Sequence, residues 1–196
     1  MEWILASASP RRKELLAELL DTFTILPSQG DEIVEGNPTP EELVKGLARQ
    51  KATEVAMRAE SAGKAVIGSD TVVALDGKIL GKPKDASDAT AMLKALSGRC
   101  HEVYTGVCIL YPKTSDKEAM SRGEIVDAAC TKVYFLPLTD EQIFAYVATG
   151  SPMDKAGAYG IQDGGLVEKI EGSFSNVVGL PLELCKQMID KVQAEN

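Results

Sequence analysis

The chain is short of several groups on which enzymes commonly rely. It has one histidine, His101, so a Ser-His-Asp or Cys-His set would depend on that imidazole alone. Nothing in "GRCHEVYTG" places a nucleophile beside it, and a packing or hydrogen-bonding role at a strand edge is expected. The four cysteines, Cys100, Cys108, Cys130 and Cys185, form no CxxC pair and no zinc-type spacing. They read as reduced packing residues rather than a disulfide scaffold. Neither GxxxxGK[ST] nor a GxGxxG after the first strand is present, so phosphate binding here uses neither fingerprint. No apolar run is long enough to cross a membrane, and the start "MEWILASAS" lacks the basic beginning and longer apolar stretch of a secretory signal. No membrane association and a cytoplasmic location are the expectations. Positive charge is also in deficit, with 21 Lys plus Arg against 29 Asp plus Glu and a net charge of -8. That balance argues against long nucleic acid as a partner, while leaving room for a small anion in a local basic pocket.

The remaining composition, 44% hydrophobic and 26% charged, suits one compact domain over residues 1–196, and no linker divides it. "WIL" reads as a short buried strand, followed by a helix with an apolar stripe at Leu15, Leu16, Leu19 and Leu20. "TFTILPS" reads as a strand and "QGDEIVEGNP" as an acidic loop. Thr39, Pro40 and Glu42 carry a capping-box signature at the head of a long helix running toward Gly63. "KAVIGSDTVVALDGKIL" reads as a hairpin turning at Asp76 and Gly77. A helix ended by Gly98 follows, then the strands "HEVYTGVCILYP" and "GEIVDAACTKVYFLPL", joined by "KTSDKEAMSR" as a surface turn. Thr139 and Gln142 form a second capping box, "SPMDKAGAYGIQDGG" reads as a long loop, "LVEKIEG" as a strand, and a last helix starts near Pro181. Strands and helices intermingle with hairpins, so the expected fold class is α/β with a mixed sheet flanked by helices.

Three positions break local rules. Ser9 and Pro10 stand where an N-cap and a first helical residue belong, yet Arg11 and Arg12 follow in the first turn, against the helix dipole. Either this is a solvated helix end, or Ser7, Ser9, Arg11 and Arg12 converge on an anion. Lys51 falls in the apolar arc of the long helix with Leu43, Val44, Leu47, Ala48 and Val55. It either snorkels past the core edge or aims into a cleft. Asp70 sits mid-strand among apolar and β-branched residues, where an unpaired charge is costly. A hydrogen bond to nearby backbone would excuse it; otherwise it is a metal ligand, a general base, or both. Asp31, Glu32 and Glu35 offer a second carboxylate, and Lys82 in "GKP" returns on the strand beside Asp70. Residues alone thus give a cleft with basic groups for phosphates and carboxylates for a divalent cation, and leave the substrate open.

Several segments together resemble the Maf family of nucleoside triphosphate pyrophosphatases. They are "LASASPRRKELL", Asp31 and Glu32, "ARQKA", "IGSDTVVALDGKILGKP", "LSGRCHEVYTGV", "DKAGAYGIQ" and "EGSFSNVVGLPL", in order along nearly the whole chain. The resemblance implies hydrolysis of a nucleoside triphosphate to monophosphate and pyrophosphate, in an α/β fold with a central cleft similar to inosine triphosphate pyrophosphatases. It implies Asp70 as the acceptor of a proton from water, Glu32 and Asp70 as ligands of Mg²⁺ or Mn²⁺, and phosphate contacts from Arg11, Lys51 and Lys82. Pro10, Thr71 and Gln162 resemble the dTTP/UTP branch, with modified pyrimidine nucleotides as further candidates and Arg12, Thr71 and Gln162 as base-selecting residues. The same resemblance implies a homodimer. It also brings two other readings: a modified purine nucleotide such as 7-methyl-GTP as substrate, or a nucleotide-binding regulator of septum formation and cell division.

Overall fold

The computed structural model describes residues 1–113 and 121–195. The surface turn expected at "KTSDKEAMSR" therefore lies largely outside the described residues. A single sheet runs through the molecule in the order β2-β1-β3-β5-β6-β7, with β4 paired to β3. Its strands are β1 (Trp3–Leu5), β2 (Thr24–Ile25), β3 (Ala65–Leu75), β4 (Lys78–Leu80), β5 (Cys100–Pro112), β6 (Arg122–Phe135) and β7 (Val167–Glu171). Strand β1 pairs in parallel with β2 and β3, and every other pairing is antiparallel. The mixed, helix-flanked sheet expected from the sequence is the one observed.

The helices are α1 (Pro10–Leu16), α2 (Pro40–Ala56), α3 (Ala86–Leu96), α4 (Asp140–Ala148), α5 (Phe174–Val178) and α6 (Leu182–Ala194). Both expected capping boxes form: Thr39 and Glu42 close one at the head of α2, Thr139 and Gln142 one at the head of α4. Asp76 and Gly77 both take positive φ, 51° and 75°, in the turn of the β3–β4 hairpin. Three local expectations shift. The second strand shrinks to two residues, α2 stops at Ala56 before a 3₁₀ turn at Ala59–Ser61, and α5 occupies a segment where no helix was expected. Among the described residues no helix is long and apolar enough to cross a membrane.

Strand parity decides which core each side chain joins. One face of the sheet carries two apolar clusters in succession along the long strands. Ile67, Val107 and Ile109 pack with Leu16 and with Cys185, Met188 and Ile189 of α6, whereas Val73, Val103 and Phe135 pack with Leu93 of α3 and Ile143 of α4. The opposite face holds α2, through Ala48, Ala52 and Val55 against Val66 and Cys108. That helix sits in a trough of glycines. A Cβ on Gly68 would lie 2.3 Å from Ala48 O, and one on Gly106 would lie 2.2 Å from Val44 O. Only hydrogen at both positions lets the helix backbone come this close.

The register also explains where the surface opens. Strand β1 ends at Leu5 opposite Ile67, and β4, running back from the hairpin, ends at Leu80 opposite Val73. Residues 68–72 of β3 therefore have no strand neighbour on that side. Side chains from both faces of the sheet reach the same opening there.

Candidate active site

A cleft of about 500 Å³ lies along that open edge. Its walls include Ser9, Arg11 and Arg12 from α1, Lys51 from α2, Asp70 and Thr71 from β3, Lys82 after β4, and Gln162. Glu32 overhangs it from the acidic loop. Apart from Ser7, every residue singled out in the sequence as catalytic or binding thus lines one cavity.

Asp70 forms the floor. It is 8% exposed, lies on the α2 face of β3, and its cross-strand partner is Gly106. The two glycines that flank it on this face let α2 descend, so that Lys51 Nζ donates to Asp70 Oδ1 and lies 2.8 Å from Glu32 Oε1. The apolar arc of α2 has aimed its lysine into the cleft. A strand aspartate that would be costly if unpaired is instead matched by a cation from the facing helix.

The other face supplies the basic wall. Ser9 caps α1, its Oγ accepting the Arg12 N–H at 3.4 Å, and no acidic residue stands in the first turn. The two arginines then part. Arg11 stays at the cleft rim, its Nη1 3.5 Å from Asp154 Oδ2. Arg12 turns inward and spends its guanidinium on the protein: Nε donates to Gly179 O at 2.9 Å, Nη1 to Ser7 Oγ at 3.3 Å and Nη2 to Thr71 Oγ1 at 3.1 Å. Burial pushes the Arg12 pKa below its usual value, opposed by the nearby charge of Asp70. Two guanidinium forks converging on one anion is therefore not the arrangement seen. Ser7, buried, accepts from Arg12 and from the Ser9 N–H at 3.2 Å, and it faces these groups instead of lining the cleft.

Thr71 continues the chain of hydroxyls. It meets Thr105 at 2.9 Å, and Thr105 donates to Asn176 O at 2.9 Å. Ser69 donates to Gly179 O at 3.2 Å. A polar belt of Ser69, Thr71 and Thr105 thus separates the two apolar clusters on this face and seats α5. Gly179, which ends α5 with φ at 128°, presents its carbonyl to both Arg12 and Ser69.

Sequence reasoning missed the third wall. Lys155 donates to Ser151 O at 2.6 Å and to Asp154 Oδ1 at 2.9 Å, and Gly157 N donates to Gly81 O at 3.0 Å beside Lys82. The positive-φ pair Gly157 and Ala158 folds this segment back against Val73. The available signals were the density of Gly and polar residues in "DKAGAYG" and the place of that segment in the family resemblance, neither of which singled out Lys155. Lys82 and Gln162 are exposed at the cleft. Asp31 and Glu35 line a neighbouring groove on the outer side of α2. His101 does not line the cleft but stands directly behind Tyr159, which does, its Nε2 2.7 Å from Tyr159 OH and its ring edge-on to Phe135 and Tyr159.

Among the described residues no three His, Cys, Asp or Glu groups gather as a metal site. The donor set is two carboxylates, Glu32 and Asp70, which already flank one cationic group, the Lys51 ammonium. Mg²⁺ is commonly held by one or two carboxylates with the rest of its shell from water and substrate phosphates. The residues present fit such an ion.

The family profile described as Maf-like protein matches residues 2–192. The dTTP/UTP pyrophosphatase of Geotalea uraniireducens (strain Rf4) is 53% identical over 181 residues, covering 91% of this chain and 89% of that protein. That of Thermococcus gammatolerans is 50% identical over 183 residues, covering 92% and 91%. Among solved structures, the Staphylococcus aureus Ham1 protein superposes with a TM-score of 0.54 at 15% identity, over 97% of this chain and 99% of the other. A HAM1 protein from Coxiella burnetii gives 0.53 at 15% identity, over the full length of both chains. These two likenesses concern the fold alone.

Proposed function

The chain belongs to the Maf-like family, and on that premise we propose that it is a nucleoside triphosphate pyrophosphatase that cleaves dTTP and UTP to the monophosphate and pyrophosphate. The observation that carries the reading is the Asp70–Lys51–Glu32 group at the floor and mouth of a cleft whose other walls carry Arg11, Lys82 and Gln162. Asp70 accepts a proton from the water that attacks the α-phosphorus. Lys51, Lys82 and Arg11 hold the phosphates and offset the negative charge that builds on the departing pyrophosphate. Arg11 exchanges its 3.5 Å contact with Asp154 for the substrate.

Glu32 and Asp70 would hold Mg²⁺ or Mn²⁺, together with phosphate oxygens. Bound there, the ion supplies charge neutralisation on the triphosphate. The acidic side chains cannot draw the substrate in by themselves, and the neighbouring cations make up that difference.

Gln162 and Thr71 select the base. A glutamine amide donates and accepts, which suits the carbonyl and N–H edge of uracil and thymine, whereas a glutamate would favour a donor-rich or cationic base. Arg12 acts on this selection through Thr71, which it holds in place at 3.1 Å. Modified pyrimidine nucleotides that keep the same edge fall within the same proposal.

The test is a product assay on purified protein with Mg²⁺ or Mn²⁺, offering dTTP, UTP, CTP, 7-methyl-GTP and ITP separately and distinguishing pyrophosphate from orthophosphate. Pyrophosphate with dTMP or UMP is expected. Orthophosphate, or binding without turnover, would overturn the reading in favour of a nucleotide-binding regulator. Preferred turnover of 7-methyl-GTP would overturn the base assignment alone.

A further inference from the structure

The base reading leaves a physical problem at Gln162. This side chain is exposed, on the short 3₁₀ turn Ile161–Asp163, and two glycines with positive φ, Gly164 and Gly165, follow it. An amide rotated by 180° exchanges its donor and acceptor and would read the cytosine edge as readily as the uracil edge. A fixed turn does not by itself choose between the two amide orientations, but it sets the distance and angle at which the amide meets the base, without which neither orientation reads an edge.

One phenol ties both ends of that turn. Tyr146 projects from α4, half-buried, and its hydroxyl accepts the Gly160 N–H at 3.0 Å while donating to Asp163 Oδ2 at 2.6 Å. Gly160 and Asp163 bracket Ile161 and Gln162, and Asp163 N donates back to Gly160 O at 3.1 Å. Ser151 Oγ donates to the same Asp163 Oδ2 at 2.7 Å, and Ser151 in turn receives Lys155 Nζ on its hydroxyl at 2.9 Å. Burial works against the Asp163 charge, but the hydrogen bonds from Tyr146 and Ser151, together with the nearby charges of Lys155 and Arg11, hold the carboxyl below its usual range. Gly160 is itself confined, because a Cβ there would lie 2.8 Å from Lys155 Cε. These contacts touch no residue of the catalytic floor and meet the cleft only through the turn and Lys155.

We propose that Tyr146 and Asp163 are positioning residues for base selection, fixing the turn that carries Gln162 so that its amide meets the pyrimidine edge at hydrogen-bonding distance. The inference rests on Gln162 being the base reader. Substrate closing on the turn would be read through a frame set from α4, an element that contributes no group to the chemistry.

The experiment compares kcat and KM for dTTP and CTP in the wild type, Tyr146→Phe, Asp163→Ala, Asp163→Asn, Gln162→Ala and the double variant Tyr146→Phe with Gln162→Ala. Tyr146→Phe keeps the ring and loses the hydroxyl. It is expected to lower the dTTP-to-CTP ratio of kcat/KM by about three- to tenfold, the range set by one hydrogen bond, with the loss carried by KM. Asp163→Ala should do the same, and Asp163→Asn, which keeps an acceptor for the phenol, should restore the ratio. The double variant should discriminate no worse than Gln162→Ala, because the phenol acts through the amide. A ratio that collapses in Gln162→Ala but stands unchanged in folded Tyr146→Phe would overturn this inference and leave the base reading intact. A ratio untouched by Gln162→Ala would overturn the base reading and this inference with it.

Discussion

Asp70, in the middle of β3, and His101, at the start of β5, are both polar residues buried in the same sheet, 8% and 2% exposed. Each would be costly if left without a partner, and the two regions resolve that cost in opposite ways. Around Asp70 the sheet edge is open, the partner is a charged lysine from the facing helix, and solvent and ligand can reach both. Around His101 the cluster is closed: the imidazole meets Tyr159 OH through Nε2 at 2.7 Å and packs edge-on to Phe135, its Nδ1 is buried with no hydrogen-bond partner among the described residues, and burial lowers its pKa to about 4. A buried ionisable group beside an open edge is within reach of solvent and ligand, while one sealed among aromatic rings is held in its neutral form by burial.

The sharpest way to break this comparison is to neutralise each group in turn. Asp70→Asn preserves shape and removes the proposed proton acceptor, so pyrophosphate release is expected to fall by about 10²- to 10⁴-fold. Thermal melting of the same variant should show a folded protein. Survival of activity at near wild-type level would remove Asp70 from the chemistry.

His101 should respond to acid rather than to substrate. Its folded pKa of about 4 lies below the value of 6.5 for the unfolded chain. The folded state therefore binds fewer protons between these values, and its contribution to stability is complete above pH 6.5 and is lost as the pH falls toward 4. Two and a half units correspond to about 3 kcal/mol. Urea unfolding across that window should show a steeper acid decline for the wild type than for His101→Gln. Equal slopes would mean that the imidazole is not held neutral by its surroundings.

Gly106→Ala tests the link between packing and the charged floor. Its methyl would meet Val44 O, so α2 must move, at about 1–3 kcal/mol of stability by analogy with overpacked cores. Activity should fall with it, because Lys51 rides on the same helix. The smallest effect is a control outside both regions. Thr39→Ala removes the cap of α2, about 1 kcal/mol in urea unfolding, with kcat unchanged.

How much of this was readable in the chain depends on distance along it. "SPRR" and "TPEE" begin two helices with the same cap and proline, and only the second follows with acidic residues. That local contrast pointed to α1, as the lysine in an apolar arc pointed to α2 and the aspartate in a strand to β3. The exit of α3 and both capping boxes were equally local and equally legible. The sequence could not show that Arg11 and Arg12 diverge, because Arg12 is claimed by Gly179, far along the chain. Helix α5, five residues long, offers no full apolar period to read. Its place is set instead by Ser173 capping it and by Asn176, whose Nδ2 donates to Val103 O and Thr131 Oγ1 on neighbouring strands. Nor could spacing reveal that a phenol on α4 would bind the two ends of a turn beyond Gly157, whose left-handed backbone reverses the chain.

The hydrogen bond from Arg12 to Gly179 spans 167 positions in a chain of 196 residues. During synthesis the arginine leaves the ribosome 167 residues ahead of the glycine that anchors it. Asp70, Lys51 and Glu32 can all be translated while Thr71 still lacks the arginine fully anchored beside it. The completed cleft is thus a late event in the life of each molecule, and a chain cut short before α5 would carry Asp70, Lys51 and Glu32 without the carbonyl of Gly179 that anchors Arg12 beside Thr71.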